Sequence, residues 1–435
     1  MKLSQWLVGV IILSQFSGCG STSSEDPAAN VVVIDNTILR PIGQNILARD
    51  LKYKNDPTIS YCEITENITQ SYSGYHDLKP YALASVSKIF LSAWALKTLG
   101  ADYRFKMIWK LKKVSDNGTY DAYLQTNYDP VVNIEKILFA LTELNKNGVL
   151  RLRNLVIDET TRIYLSVLSN PHLELAEVPV TASQTIDNLQ IILNSKNWAG
   201  QTEAAKNNLI NFNTPSQFSV ESVTYVPKSK IQSSYYNQIV QLESAPMFKY
   251  LKNMNIYSNN YVTDALFDFL GGAKQFLNFQ NNELKISANE LNIYTGSGLS
   301  TQVDNQRKDN LGSCLSILKT LRYLDLLTQV YNLNLGHLLL SAGQDLGTYE
   351  SNLIFNKNIV LKTGRLFDVP TLNVAGVNSN ISGSTYFAML AHDFDNADEA
   401  LIKQKRDDLI AELIQFKPQR DTFLTSKQDT LFFKY

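Results

Sequence analysis

Apolar residues recur every three or four positions in several stretches of this chain, and each such stretch predicts a helix. In Val86–Leu99 they are Val86, Ile89, Phe90, Ala93, Leu96 and Leu99, with Gly100 as a C-terminal stop. Val132–Asn147 reads the same way and is closed by Gly148; Val262–Leu270 and Leu311–Leu327 follow suit. Ala397–Phe416 predicts an amphipathic helix, with Leu401, Ile402, Leu409, Ile410, Leu413 and Ile414 inward and Pro418 beyond its end. Strand signals lie elsewhere. Ile59–Tyr72 is rich in Tyr, Ile and Thr and precedes a Ser73-Gly74 turn signal; Ala101–Lys113, Leu150–Asp158, Thr371–Val377 and Thr385–Phe394 are further strands. Asn358–Leu366 holds Ile359, Val360 and Leu361 in succession, as a strand buried on both faces does. Strands collected around one early helix and one final helix predict an α+β fold, an antiparallel sheet flanked by helices.

The first residues do not belong to that pattern. Lys2, the apolar run Trp6–Leu13 and the small residues near Cys19 read as an export signal over 1–18, the run being too short to span a bilayer. Residues 19–30 are a polar, flexible tether, and the folded region is expected to begin near Val31. Composition narrows the picture little further. The 435 residues suffice for two or more domains with real cores. The 40 basic and 41 acidic residues give a net charge of −1, which leaves no field for nucleic acid. The 4 histidines show no metal-ligand spacing and the 3 cysteines no paired motif, so neither a metal site nor a cofactor is expected.

The chemistry gathers at the first helix. Ser85 and Lys88 are an i,i+3 pair and share a face. A serine at a helix start has backbone N–H groups around it and the positive end of the dipole beneath it. A lysine held among Ile89, Phe90 and other apolar side chains can lose its proton through desolvation and act as a base. Ser-x-x-Lys alone is a weak pattern, and a second copy stands at Ser316–Lys319. Two later motifs single out the first copy: Ser258-Asn259-Asn260, and Lys362-Thr363-Gly364, whose Lys-Thr-Gly occurs nowhere else. Ser195-Lys196-Asn197 and Ser287-Ala288-Asn289 rival the middle motif, while Ser115-Asp116-Asn117 runs into Gly118 and reads as a turn. Only Ser85, Ser258 and Lys362 agree in both order and flanks.

This ordered set resembles the Ser-x-x-Lys, Ser-Asp-Asn and Lys-Thr-Gly motifs of penicillin-binding proteins and serine β-lactamases. The flanks are similar to the D-alanyl-D-alanine carboxypeptidase/endopeptidases of the penicillin-binding protein 4 type, the low-molecular-mass class C penicillin-binding proteins. Ala245–Tyr257 leads into Ser258 as that family's apolar helix does, and Thr295-Gly296-Ser297-Gly298-Leu299-Ser300 resembles its Asp-Gly-Ser-Gly-Leu-Ser loop. Lys362–Leu366, Asn373–Val377 and Tyr386–Leu390 match its closing strands. Tyr120–Leu124, Asn127–Pro130 and Gly148–Asp158 follow its pattern too, so the resemblance covers most of the chain. Asn259 and Thr295 each replace an aspartate, and Arg365 replaces a threonine.

The resemblance implies a penicillin-binding protein/serine β-lactamase-like transpeptidase fold, with a discontinuous peptidase domain (31–108 plus 242–435) and an accessory domain inserted at 109–241. That insertion is shorter than the family's usual one. It also implies roles. Ser85 is the nucleophile and Lys88 its base. Ser258 passes a proton to the leaving amine, Asn260 orients the substrate amide or Lys88, and Lys362 supplies positive field. Thr363, Gly364 and Arg365 bind substrate, with the backbone N–H groups of Ser85 and Arg365 holding the oxyanion. The expected substrates are peptidoglycan stem peptides, with β-lactams as covalent inhibitors. The alternatives are a serine β-lactamase and a non-catalytic peptidoglycan-binding lipoprotein on the same fold. Phe16-Ser17-Gly18-Cys19 resembles a bacterial lipoprotein cleavage box with Phe16 for the usual leucine, which makes Cys19 the lipid-modified residue of a periplasmic protein anchored to a membrane, by preference the outer one. A plain secretory signal is the other reading of this stretch. Cys62 and Cys314 then remain, and whether they pair is open.

Overall fold

A computed structural model describes residues 56–66, 71–165, 181–206, 213–215, 217–342, 344–345, 347–349, 358–380, 383–395 and 398–415. The expected signal, tether and Cys19 lie outside them, as does the expected start near Val31. The described chain opens with strands β1 (Ile59–Glu66), β2 (Ser71–Tyr75) and β3 (Pro80–Ala82), then a 3₁₀ turn at Ala84–Val86 that runs into helix α1 (Ser87–Leu99). Strands β4 (Lys106–Ser115) and β5 (Thr119–Gln125), helix α2 (Ile134–Lys146) and strand β6 (Arg151–Ile157) follow. Next come helices α3 (Ala182–Ile192) and α4 (Trp198–Lys206) and strands β7 (Ser219–Val220), β8 (Val223–Tyr225) and β9 (Gln238–Glu243). Helices α5 (Met247–Ile256), α6 (Asn260–Phe269) and α7 (Gly272–Phe279) lead to the short strands β10 (Leu291–Asn292), β11 (Thr301–Val303), β12 (Gln306–Lys308) and β13 (Leu311–Ser313). Helix α8 (Cys314–Val330), strands β14 (Leu340–Ser341), β15 (Ile359–Leu366), β16 (Thr371–Asn380) and β17 (Gly383–His392), and helix α9 (Glu399–Gln415) complete it.

The main sheet has the order β14-β15-β16-β17-β1-β2 and is antiparallel throughout, as expected. Its side chains alternate between two buried faces. Val360, Ala375, Val377, Ala388 and Leu390 point toward α1 and α8. Leu361, Leu372, Val374, Phe387 and Met389 point toward α9, where Ile402, Leu409, Ile410 and Leu413 meet them. Leu401, expected inward, is 53% exposed. The side chain of Ile414 lies outside the described residues. Every residue of α1 from Ser87 to Leu96 is buried, so this helix runs through the middle of the domain rather than across its surface.

Three element boundaries depart from the sequence pattern, the strand expected from Ala101 beginning only at Lys106. Ser73 and Gly74 do not turn the chain; they lie inside β2, opposite Glu63 and Cys62 of β1. Gly74 serves close approach, since a Cβ there would sit 2.7 Å from the Tyr72 Oη and 2.9 Å from the Asp77 Cβ. The helix expected from Leu311 starts at Cys314. Leu311–Ser313 is strand, paired with β3 and β10, and the Ser313 Oγ accepts the Ser316 N–H at 3.1 Å as an N-cap.

The stretch between the first two motifs builds a second, mixed sheet in the order β7-β6-β5-β4-β9, with β8 also paired to β6. Buried polar contacts tie it to α5. The Lys136 Nζ donates to the Asp129 Oδ2 at 2.7 Å and to the Tyr250 Oη at 3.0 Å, and that Tyr250 hydroxyl donates to the Asp129 Oδ1 at 2.9 Å. Removing one member would strand a charge or a hydroxyl without water.

Cys62 of β1 and Cys314, the first residue of α8, form a disulfide across 252 residues of sequence. The question left open by the sequence is thus answered by the sheet, which puts β1 beneath the start of α8. A cross-link closing so long a loop restricts the unfolded chain strongly. A Cys62→Ser/Cys314→Ser variant is expected to lose about 2–5 kcal/mol in denaturant unfolding; an unfolding midpoint indifferent to the substitution contradicts the bond.

Candidate active site

Four parts of the chain converge on one point. The 3₁₀ turn carries Ser85, α1 carries Lys88 one turn on, and Ser258 in the connection from α5 leads to Asn260 at the start of α6. Strand β15 brings Lys362, Thr363 and Gly364. The Lys88 Nζ donates to the Ser85 Oγ at 3.0 Å, to the Asn260 Oδ1 at 2.9 Å and to the Ser297 carbonyl at 2.8 Å. The Lys362 Nζ donates to the Ser258 Oγ at 3.0 Å and to the Thr363 carbonyl at 2.9 Å. Ser85, Lys88, Ser258, Asn260 and Lys362, far apart in sequence, are therefore linked by two buried amines.

Close backbone approach makes this possible. A Cβ on Gly298 would lie 1.9 Å from the Ala84 carbonyl oxygen, and its φ of +87° is one that L side chains rarely adopt. A Cβ on Gly364 would lie 2.8 Å from the Leu83 carbonyl oxygen, so β15 rests directly on the turn that holds Ser85. The Asn373 Nδ2 fixes that turn from the neighbouring strand by donating to the carbonyls of Ala82 (2.8 Å) and Leu83 (3.0 Å). Ala84 (φ +48°) and Ser258 (φ +56°) sit in left-handed conformations that cost non-glycine residues roughly 1–3 kcal/mol each. Both flank or belong to the constellation.

Each departure from the family motif has a local account. Asn259 caps α6 by accepting the Val262 N–H at 2.9 Å, work that asparagine does as well as aspartate. The Thr295 Oγ1 donates to the Leu299 carbonyl at 2.8 Å and accepts the Gly298 N–H at 3.3 Å, which closes the loop around Ser297. The Arg365 guanidinium turns to Glu399 of α9 at 2.7 Å and stacks on Phe367, so its side chain is engaged at the strand's end while its backbone stays beside Gly364. The second Ser-x-x-Lys is occupied otherwise. The Ser316 Oγ donates to the carbonyl of Ser313, the N-cap of α8, and Lys319 lies 3.6 Å from Glu290. Ser115–Asn117 forms the turn between β4 and β5, and Ser195–Asn197 is an exposed 3₁₀ turn.

Several contributors escaped the motif search. Asn310 accepts the N–H groups of Tyr294 and Thr295 and donates to the Ser87 Oγ and the Thr295 carbonyl. The Thr348 Oγ1 lies 3.0 Å from the Thr363 Oγ1. Asp264 receives the Ser297 N–H at 2.7 Å. Only Asp264 left a signal in sequence, because it stands four residues after Asn260 on the same helical face.

Burial sets the electrostatics. Desolvation pulls the Lys88 amine down to about 7, with the Asp264 carboxylate opposing the fall. Lys362 is pushed well below its usual range, first by burial and then by Lys88. The positive charge expected of Lys362 is therefore opposed by its own desolvation and by Lys88. Among the described residues no cluster of histidine, cysteine and carboxylate groups is arranged to hold a metal ion.

A serine beside a neutral amine, with a second hydroxyl–lysine pair facing it, defines a serine acyl-transfer site. Comparison gives it a class. The model of the D-Ala-D-Ala carboxypeptidase 3 (S13) family matches residues 219–413, which include Ser258, Asn260 and Lys362–Gly364. No curated protein matches the sequence. Among solved structures, the predatory endopeptidase Bd0816 of Bdellovibrio bacteriovorus, in complex with immunity protein Bd3460, is 25% identical, with a TM-score of 0.73 over 86% of this chain and 97% of that one. Bd3459, a predatory peptidoglycan endopeptidase of the same organism, is 24% identical with a TM-score of 0.74 over 86% and 96%, and has also been solved acylated by penicillin G. Penicillin-binding protein 4 (dacB) of Haemophilus influenzae is 18% identical with a TM-score of 0.57 over 85% and 100%. The last two likenesses are likenesses of fold. The S13 model matches the second half of the chain, and fold, site and that match agree on a serine D,D-peptidase, a hydrolase, as the resemblance implied.

Since the neutral amine is the reactive form, acylation of Ser85 by a β-lactam should rise about tenfold per pH unit toward pH 7 and level off above it. A rate unchanged between pH 5 and 8 contradicts a titrating base at Lys88.

Proposed function

We propose that Ser85 opens the D-alanyl peptide bond of a peptidoglycan stem peptide, either at its D-Ala-D-Ala end or at a D-Ala cross-link. The single observation that carries this reading is the Lys88 amine, buried and 3.0 Å from the Ser85 Oγ. Neutral Lys88 takes the hydroxyl proton as Ser85 attacks the carbonyl carbon. The N–H groups of Ser85 and Arg365 receive the oxyanion, a role that needs no particular side chain at 365; a lost donor of this kind costs about 100- to 1000-fold in rate. Ser258, held by Lys362, returns a proton to the leaving amine. Asn260 fixes Lys88 and the substrate amide, and Thr363 with Lys362 meets the substrate carboxylate. Water then releases the acyl group.

The names of Bd0816 and Bd3459 support a cross-link as one substrate, and the family name supports the free D-Ala-D-Ala end as the other. Penicillin G acylates Bd3459, and the same chemistry is proposed at Ser85. The protein acts in the periplasm, carried there by its first 18 residues and tethered to a membrane, by preference the outer one, through a lipid on Cys19. Among the described residues no helix is long and apolar enough to cross a membrane.

Purified sacculi decide the substrate. Digestion followed by muropeptide chromatography should show dimers falling to monomers, pentapeptides losing their terminal D-alanine, or both, and none of this with Ser85→Ala. Binding to sacculi without any change in muropeptides would favour the non-catalytic reading. Rapid β-lactam hydrolysis with untouched muropeptides would favour the β-lactamase.

A further inference from the structure

The Lys88 amine has three oxygen partners, and helix α6 controls two of them. One is direct, through Asn260 at the helix's first position. The other is the Ser297 carbonyl, and its orientation is set one turn further along α6. There the Asp264 Oδ1 accepts the Ser297 N–H at 2.7 Å. The Ser297 side chain and the Gly296 backbone also favour the carboxylate's charged form against its burial. Ser297 is 0% exposed, and its loop has no room to shift. On one side a Cβ at Gly296 would lie 2.6 Å from the Thr263 carbonyl oxygen of α6; on the other, Gly298 abuts Ala84. A carboxylate buried in such a place needs a reason, because burial alone penalises its charge.

We infer that Asp264 is a positioning residue for the acyl-transfer reaction, one that clamps the Gly296–Gly298 loop so that the Ser297 carbonyl grips Lys88 and that supplies the negative charge setting when Lys88 gives up its proton. The inference rests on the reading of Lys88 as the base. It adds a group that touches neither substrate nor nucleophile.

The titratable groups around Lys88 come from two elements: Asp264 on α6, whose charge acts on it, and Lys362 on β15, which it pushes down. Asp268 lies one further turn along α6; burial first and then the Asp264 charge raise it, and Arg162 opposes them. The sign follows from these neighbours. Asp264 favours protonated Lys88, whereas burial and Lys88 itself drive Lys362 toward its neutral form. Removing the carboxylate's charge therefore makes Lys88 easier to deprotonate, so the acidic limb of the rate moves to lower pH. Loss of the clamp at the same time lowers the plateau.

The test is the pH profile of benzylpenicillin acylation, followed by intact mass, in Asp264→Asn and Asp264→Glu beside the unaltered protein. The Asn variant should show its limb displaced to lower pH by about one unit, with a plateau reduced at least threefold. The Glu variant keeps the charge and should keep the limb. Should the Asn variant not fold, Asp264→Ser, equally uncharged, must show the same displacement. An unmoved limb in a folded, uncharged variant overturns the inference, whatever happens to the plateau. Because Ser85→Ala abolishing the adduct tests the base-and-nucleophile reading separately, the two can fail independently.

Discussion

Everything in this molecule that bears on chemistry depends on keeping one amine dry. A lysine in water is a cation and no base; Lys88 becomes one because α1 is buried from Ser87 to Leu96 and delivers the side chain into a space lined by oxygens rather than filled with solvent. Those oxygens come from different parts of the chain, namely the Ser85 turn, the start of α6 and the Ser297 loop. Their convergence requires the whole domain to be folded. The amine is held by geometry, and its proton is loosened by the same burial.

The scaffold meets that requirement through backbone proximity. Gly298 and Gly364 let a loop and a strand lie against the Ser85 turn at distances that no side chain allows. Asn373 then bonds the turn to the sheet, and the sheet itself is fixed by cores on both faces. Strained backbone at Ala84 and Ser258 persists because these neighbours leave it no alternative. The insertion contributes stiffness more directly than its distance in sequence suggests, since Asp129 and Lys136 grip Tyr250 on the helix that ends just before Ser258.

Much of this was legible in the sequence. The double-buried run at Ile359–Leu361, the helix stop at Gly100 and the order of the three motifs depend on local pattern, and local pattern survives without coordinates. What stayed hidden depends on distance in space. Ser73-Gly74 looked like a turn because glycine usually signals one; here it admits the Tyr72 hydroxyl and Asp77. Leu311 extended an apolar period that the pairing of β13 overrode. The partnership of Cys62 with Cys314, the service of Asn310 to two loops and the carboxylate behind Ser297 all join residues that no spacing rule connects. Lys362 is the instructive case. Sequence supplied its charge, and the structure showed the desolvation that works against it.

The central claim is that Ser85 is a nucleophile activated by Lys88. Intact mass of the purified protein after incubation with benzylpenicillin, beside a Ser85→Ala variant, tests it most directly. The account predicts a stable covalent adduct on the first and none on the second. An adduct that persists on Ser85→Ala, or neither adduct nor loss of the drug with the unaltered protein, would contradict it.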